Sequence, residues 1–253
     1  MNMMLEIGLL FKRKMLETLR QPVWIISGMM TPILYLLLFS PLLKGLNSPV
    51  LGGSGNVIDT FVPGILALMA FGAGTGSGWT VIWELQSGVI ERLRVSPASR
   101  FSLLMGTVLR DTVMLLLPAI LVIFTASLFG FDLHGGGLVA MLLLHSLLTA
   151  VVSATSGSLG LILKNIGSLA AVVTGLQLPI TLLAGVLLPL SLGPEWLRIV
   201  AHFNPLYYVV EASRVLGGGT ILDGKVYEAF GVMAALMVIV LWWSTRVYRK
   251  AVA

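Results

Sequence analysis

Residues 84–100 read ELQSGVIERLRVSPASR, from Glu84 to Arg100, and a further charged pair, Arg110-Asp111, follows within the same stretch. On either side the chain is apolar for about 20 residues, the length a helix needs to cross a bilayer. Charges are costly in hydrocarbon, so a stretch this rich in arginine belongs at a water-facing surface between two membrane spans. That surface is where a partner is expected to act on the protein.

The rest of the composition agrees. The chain has 253 residues, of which 57% are hydrophobic and 11% charged. Soluble domains carry about 25% charged residues, and the mean hydropathy of +0.98 points the same way. The expectation is one all-α polytopic membrane domain over residues 1–253, with no soluble domain. The net charge of +5 suits nucleic acid by sign alone. Its placement at the ends of apolar segments is instead the pattern of topology signals, so no nucleic-acid partner is expected. There is no cysteine, which excludes disulfides and thiolate metal sites. Lys12, Arg13 and Lys14 precede an apolar run that is long and lacks an A-x-A cleavage site. It reads as a retained first span.

Six transmembrane helices are expected, at about 23–43, 60–83, 112–129, 138–163, 168–190 and 226–247. Before them, Met4, Ile7, Phe11 and Met15 recur at helical spacing among Lys12, Arg13, Glu17 and Arg20. That pattern predicts an N-terminal helix lying in the membrane interface. Pro22 marks the bend into the first span, Pro32 a kink within it, and a Gly- and Ser-rich loop runs from Lys44 to Asp59. In the second span the pairs Gly72/Gly76 and Gly74/Gly78 allow close helix approach. No Lys-Ser/Thr follows them, so a phosphate loop is a poor reading. Lys164-Asn165 is the short turn between the fourth and fifth spans.

Placing both termini in the cytoplasm puts Lys or Arg at 12, 13, 14, 20, 92, 94, 100, 110, 164, 246, 249 and 250 inside. Only Lys44, Arg198, Arg214 and Lys225 fall outside. The positive-inside rule favours this arrangement, and it requires an even number of spans. Between spans five and six, short extracytoplasmic helices are predicted at Glu195 to Phe203 and Leu206 to Leu216. Asn204-Pro205 starts the second of these as a capping Asn followed by a first-turn Pro. Glu195/Arg198 and Glu211/Arg214 are three apart, so each pair can meet on one helix face.

The run Glu84-x-x-x-Gly88-x-x-Glu91-Arg92-Leu93-Arg94-x-Ser96-Pro97, with Arg100 beyond, resembles the cytoplasmic signature of ABC type-2 exporter permeases, in particular the daunorubicin-resistance type. Asn204-Pro205-Leu206, then Glu211 and Arg214, resembles their second signature, an outer re-entrant segment before the last span. The resemblance covers essentially the whole chain. It implies two permease subunits, the same or paralogous, around a substrate path, and two copies of an ABC ATP-binding subunit docked from the cytoplasm. ATP and Mg would sit on that partner. The loop between spans two and three would form a coupling helix, Gln86 to Pro97. Glu84, Gly88, Glu91, Arg92, Arg94, Pro97 and Arg100 are then the ATPase-coupling candidates. The plainer reading of the arginines is that they fix topology and bind anionic head groups, and both roles can coexist.

The chain has no G-x-x-x-x-G-K-[ST], so its energy comes from elsewhere and it is not an enzyme by itself. It also lacks a run of acids inside its spans, Glu84 and Asp111 being read as span-end groups, which argues against a secondary carrier. His145 inside a span suggests contact with substrate or a proton relay; the commoner use is a hydrogen bond to a neighbouring helix. Gln177, Thr174 and Thr181 carry the same two readings. Met29, Met30, Met69 and Phe71 suit a path for an oily substrate, although packing is the commoner use of such side chains. Glu84 suits either an arginine pair that locks one state or an ordinary end-group. His134 and His202 read as outer-surface groups without metal-ligand spacing. The expectation is a plasma-membrane exporter permease for a hydrophobic or amphipathic drug, antibiotic or lipid-like molecule. Export of a polysaccharide or glycolipid is the alternative, and a secondary carrier a weaker one.

Overall fold

The computed structural model describes residues 3–21, 26, 28–30, 32–38, 57–94, 99–132, 134–186, 190 and 193–251. Helix α1 is Met3–Leu19, α2 Val57–Gln86, α3 Val89–Arg94, α4 Arg100–Leu128, α5 Gly135–Leu163, α6 Ile166–Leu183, α7 Glu195–Ala201, α8 Pro205–Gly217 and α9 Gly224–Ala251. Five of these, α2, α4, α5, α6 and α9, are long and apolar enough to cross a membrane. Helix is the expected form, because hydrocarbon offers no partner for a backbone N–H or C=O and an α-helix satisfies both within itself. The predicted first span at 23–43 falls largely outside the described residues, as does most of the predicted 44–59 loop; positions 28–30 and 32–38 are helical. The described residues therefore show five of the six predicted spans.

Helix bounds depart from the sequence reading in an informative way. The second predicted span, 60–83, is a 30-residue helix, about 45 Å long at 1.5 Å per residue. It exceeds the ~30 Å hydrocarbon thickness. The third span is expected at 112–129, yet α4 starts at Arg100, where Ser99 caps it: the Ser99 hydroxyl accepts from Ser102 N at 3.0 Å. Asp111 is consequently a buried side chain well inside α4 and not a span-end group. The fifth span was placed at 168–190, but α6 stops at Leu183, and Gly185 in the left-handed region (φ +66°) follows its end. The sixth runs to Ala251, past the predicted Val247. Lys164 takes the left-handed conformation (φ 54°) and Asn165 caps α6 through Ser168 N, so the predicted two-residue turn is observed.

Helix α5 is the centre of the bundle. Its serines and threonines form a polar seam with α2: Ser77 Oγ donates to Ser153 O (2.6 Å), Ser156 Oγ to Thr75 O (2.7 Å) and Thr149 Oγ1 to Ala70 O (3.0 Å). Such seams hold helices together where lipid competes for apolar surface but not for hydrogen bonds. The backbones are close enough that a Cβ added at Gly160 would lie 2.6 Å from Gly78 O, and one at Gly74 would lie 2.9 Å from Thr149 O. Of the two predicted glycine pairs, Gly74/Gly78 makes this approach, whereas Gly72 and Gly76 face open space. Helix α6 is an outlier, with only 6% of its apolar window buried.

Candidate functional site

The junction of α2, α3 and α4 with the N-terminal helix α1 is the most developed polar site in the described residues. Helix α2 ends because Gly88 adopts φ +70°, a left-handed conformation that glycine takes at little cost. Ser87 N donates to Trp83 O and Gly88 N to Leu85 O across the closing turn. The single predicted coupling helix from Gln86 to Pro97 is thus divided. Gln86 ends α2, Ser87-Gly88 is a turn, and α3 spans only Val89–Arg94. Glu91 and Arg92 are exposed on α3, while Ile90 is buried. Pro97 and the side chain of Arg94 lie outside the described residues.

Both roots of this loop are gripped by α1. At the α2 root, Glu84 Oε1 lies 2.5 Å from Lys14 Nζ and 3.8 Å from Arg13 Nη2. The cation that Glu84 meets most closely is therefore a lysine of α1. At the α4 root, Glu6 Oε2 accepts from Ser99 N at 3.0 Å and from Ser102 Oγ at 3.1 Å. The backbone N–H of Ser99, opposed by desolvation and helped by the Ser102 hydroxyl, holds the Glu6 carboxyl below its ordinary value. Burial pushes the Lys14 ammonium down, outweighing the attraction of Glu84.

A second charged pair ties four helices together. Arg110 Nε lies 3.0 Å from Asp111 Oδ1. Its other nitrogens donate to Thr18 Oγ1 on α1 (3.2 Å) and Thr80 Oγ1 on α2 (3.4 Å). Asp111 Oδ2 accepts from Ser153 Oγ on α5 at 2.5 Å. Charges this far inside a bundle persist when each is paired and hydrogen-bonded.

The inward face of α1 differs from the predicted one. Ile7, Phe11 and Met15 are half-buried as expected, but Met4 is 79% exposed, and the fully buried positions are Glu6 and Lys14. Glu6, Lys14, Arg110, Asp111 and Ser153 were not among the sequence candidates. One signal was available: in an otherwise apolar protein, charges recurring four or eight apart on a short helix mark a ridge, here Glu6–Leu10–Lys14.

At the other end of the bundle the expected pair of short helices is present, as Glu195–Ala201 and Pro205–Gly217 in place of 195–203 and 206–216. Asn204 caps α8 through Leu206 N (3.1 Å) and also donates from Nδ2 to Ile180 O of α6 (2.6 Å). Pro205 occupies the first turn. Arg214 donates to Glu211 Oε1 (2.9 Å), Thr60 O (3.3 Å) and Gly185 O (2.6 Å), so one guanidinium joins α8, α2 and the end of α6. The predicted Glu211/Arg214 pair forms.

The candidate path residues lie on four helical stretches: 28–30, α2, α5 and α6. His145 is buried, with Nδ1 2.7 Å from Met141 O of its own helix, and the Pro63 backbone of α2 also meets its ring. Thr181 Oγ1 donates to Gln177 O at 2.8 Å within α6. Gln177 is half-buried, as are Met29, Met69 and Phe71; Met69 packs against the main core. His134 Nδ1 lies 3.2 Å from Gly217 O and His202 Nδ1 2.7 Å from Arg198 O. No three His, Asp or Glu side chains among the described residues cluster closely enough to hold a metal ion.

Comparison with known proteins bears on the same stretch of chain. The family model for the ABC-2 type transporter matches residues 6–216, which include Glu6, the arginine-rich loop and the Asn204-Pro205 start of α8. The chain is 30% identical to a putative transport permease, ycf38, of Cyanophora paradoxa, over 83% of this chain and 73% of that protein. It is 23% identical to the daunorubicin resistance ABC transporter permease protein DrrB1 of Streptomyces coeruleorubidus, over 94% of this chain and 84% of that one. It is 31% identical to the inner membrane transport permease YadH of Escherichia coli K12, over 61% of this chain and 60% of that protein.

Proposed function

Since the chain belongs to the ABC-2 type transporter family, we propose that it is the membrane-spanning permease subunit of an ATP-driven exporter, with both termini in the cytoplasm. The observation that carries this reading is α3, a short charged helix hung between two spans whose roots are both anchored to α1. A motor acting on a membrane protein needs a lever that leaves the bilayer and is joined stiffly to more than one span. Glu91 and Arg92 supply exposed charge on that lever. Coupling requires contacts that differ between the two states of the motor, and a charged surface helix provides them.

The motor in this reading is a separate ABC ATP-binding subunit, present in two copies and carrying ATP and Mg. A second permease, the same or paralogous, completes the path. The sparse burial of α6, on which Gln177 and Thr181 are half-buried, supports a partner on that side. The cargo is hydrophobic or amphipathic: a drug, an antibiotic or a lipid-like molecule. The daunorubicin-resistance relative supports that class.

The test is reconstitution of the chain with a co-purifying ABC ATPase in proteoliposomes. ATP-dependent extrusion of an amphipathic dye is expected, and Arg92→Glu/Arg94→Glu should abolish it while leaving membrane insertion intact. Transport without nucleotide, or a double variant with undiminished ATPase binding and substrate-stimulated hydrolysis, refutes the reading.

A further inference from the structure

A groove opens between the first turn of α4 and the last turns of α9, at the end of the bundle where α1 lies. Phe101, Leu241, Trp242, Thr245, Arg246 and Arg249 line it, and its volume is about 350 Å³. Its floor is apolar and aromatic, and its rim carries two guanidinium groups. Neither Arg246 nor Arg249 has an ion-pair partner among the described residues. The Arg246 guanidinium carbon lies 3.7 Å from the Trp242 ring centroid. Stacking on the ring face leaves the N–H edges of the guanidinium free to meet an oxyanion in the plane of the fork.

The exposed face of α9 extends the groove toward the middle of the bilayer. Val238 is 70% exposed, Ile239 59% and Trp242 58%. With Arg246 they follow one another at helical spacing, so one stripe of the helix changes from apolar to aromatic to cationic as it nears the interface. That order matches a phospholipid read from acyl chain to head group. Among the described residues, no carboxylate lines the groove to receive a quaternary ammonium, so its charge is complementary to a net anion.

We propose that this groove seats one anionic phospholipid of the adjoining leaflet, its phosphate held by Arg246 and Arg249 and its acyl chain laid along Trp242, Ile239 and Val238. The seat depends on α9 being a membrane span and not on what the protein transports.

The full chain is purified in detergent, stripped of lipid, and offered dioleoylphosphatidylglycerol or dioleoylphosphatidylcholine, with bound lipid counted by native mass spectrometry. One phosphatidylglycerol is expected to be retained about tenfold better than phosphatidylcholine, since two arginines near a membrane surface contribute on the order of tenfold or more. Arg246→Gln/Arg249→Gln should erase that preference. Lys12→Gln/Arg20→Gln, which removes the same charge from exposed positions on and just after α1, should keep it. Trp242→Ala, with both arginines present, should release phosphatidylglycerol more readily. Equal retention of the two lipids by the parent, or an undiminished preference in the Arg246/Arg249 variant, overturns the seat. So does competition by inorganic phosphate as effective as that of the lipid, or a protein dimer that covers the groove and dissociates in that variant.

Discussion

Lys14 Nζ and Glu84 Oε1 lie 2.5 Å apart, joining α1 to the last turn of α2 just before the arginine-rich loop. Both side chains are nearly sealed, at 8% and 10% exposure. Removing one partner strands a buried charge, which costs roughly 3–5 kcal/mol, whereas replacing both by apolar groups of similar size is close to neutral. Lys14→Met and Glu84→Gln are each expected to lower thermal stability in detergent by several degrees. Lys14→Met/Glu84→Leu should recover most of that loss. If the pair also positions the loop, the double variant will remain stable yet lose ATP-driven transport. A double variant as unstable as either single one, or one that is fully active, contradicts this account.

The contact between Glu6 and the start of α4 should be sensitive to acid. Its carboxyl titrates below the ordinary 4.5 because Ser99 N–H and Ser102 Oγ–H donate to the ionised form. A depressed folded-state value means the contribution is fully present above 4.5 and is lost as pH falls through the lower, folded value. The natural chain has no cysteine, so Leu9→Cys/Leu109→Cys offers a unique spin-label pair on exposed positions of α1 and α4. Its distance distribution is expected to broaden in that acidic window and to revert on neutralisation. In a Glu6→Gln background the distribution should be broad at every pH. A distribution that ignores both pH and this substitution would remove Glu6 as the anchor.

Glycine spacing on α2 leads to an asymmetric expectation. A Cβ at Gly160 would meet Gly78 backbone at 2.6 Å, and backbone cannot swing aside as a side-chain end can. Gly160→Ala should therefore force the helices apart and cost about 1–3 kcal/mol, the usual range for overpacking. Gly76, with nothing within 4 Å of its Cβ position, should accept alanine with no loss and a small gain in helix propensity. Melting of the two variants in the same detergent, followed by intrinsic fluorescence, decides the matter. Equal effects would mean the two backbones are not in contact.

Features whose cause is local were legible in the sequence. Asn204-Pro205 begins α8 because both the cap and the preset φ act within one turn, and Lys164-Asn165 turns the chain for the same kind of reason. Long apolar runs gave the spans, since lipid leaves the backbone no alternative to helix. What was missed had its cause far along the chain. The stretch from Arg100 to Asp111 looks too polar for a helix inside a bundle. It becomes acceptable only because Glu6, Thr18, Thr80 and Ser153 answer its polar groups. Likewise, Glu84 offered a carboxylate in search of a cation, but nothing local pointed to Lys14 over an arginine of the neighbouring loop. Among the path candidates, burial of His145 depends on which face of α5 meets α2. Weakly amphipathic, apolar helices do not declare that face.

Asn204 performs two tasks that substitution can separate. Its side-chain oxygen accepts from Leu206 N, starting α8, and its amide donates to Ile180 O at the end of α6. Asn204→Asp keeps a good cap, because aspartate accepts as well as asparagine at that position. It replaces the donor with a carboxylate facing a carbonyl oxygen, so the tie to α6 becomes a repulsion. Asn204→Ala removes both functions and should cost about 1–2 kcal/mol from the cap alone. If the value of Asn204 lies in the cap, Asn204→Asp will melt like the parent and Asn204→Ala will not. Because so little of α6 is buried, the opposite result is expected: both variants should lose stability, and the aspartate form should lose more of it at neutral pH than at acidic pH. Protonation restores a donor at the carboxyl, which is why pH separates the two explanations where a single melting temperature does not.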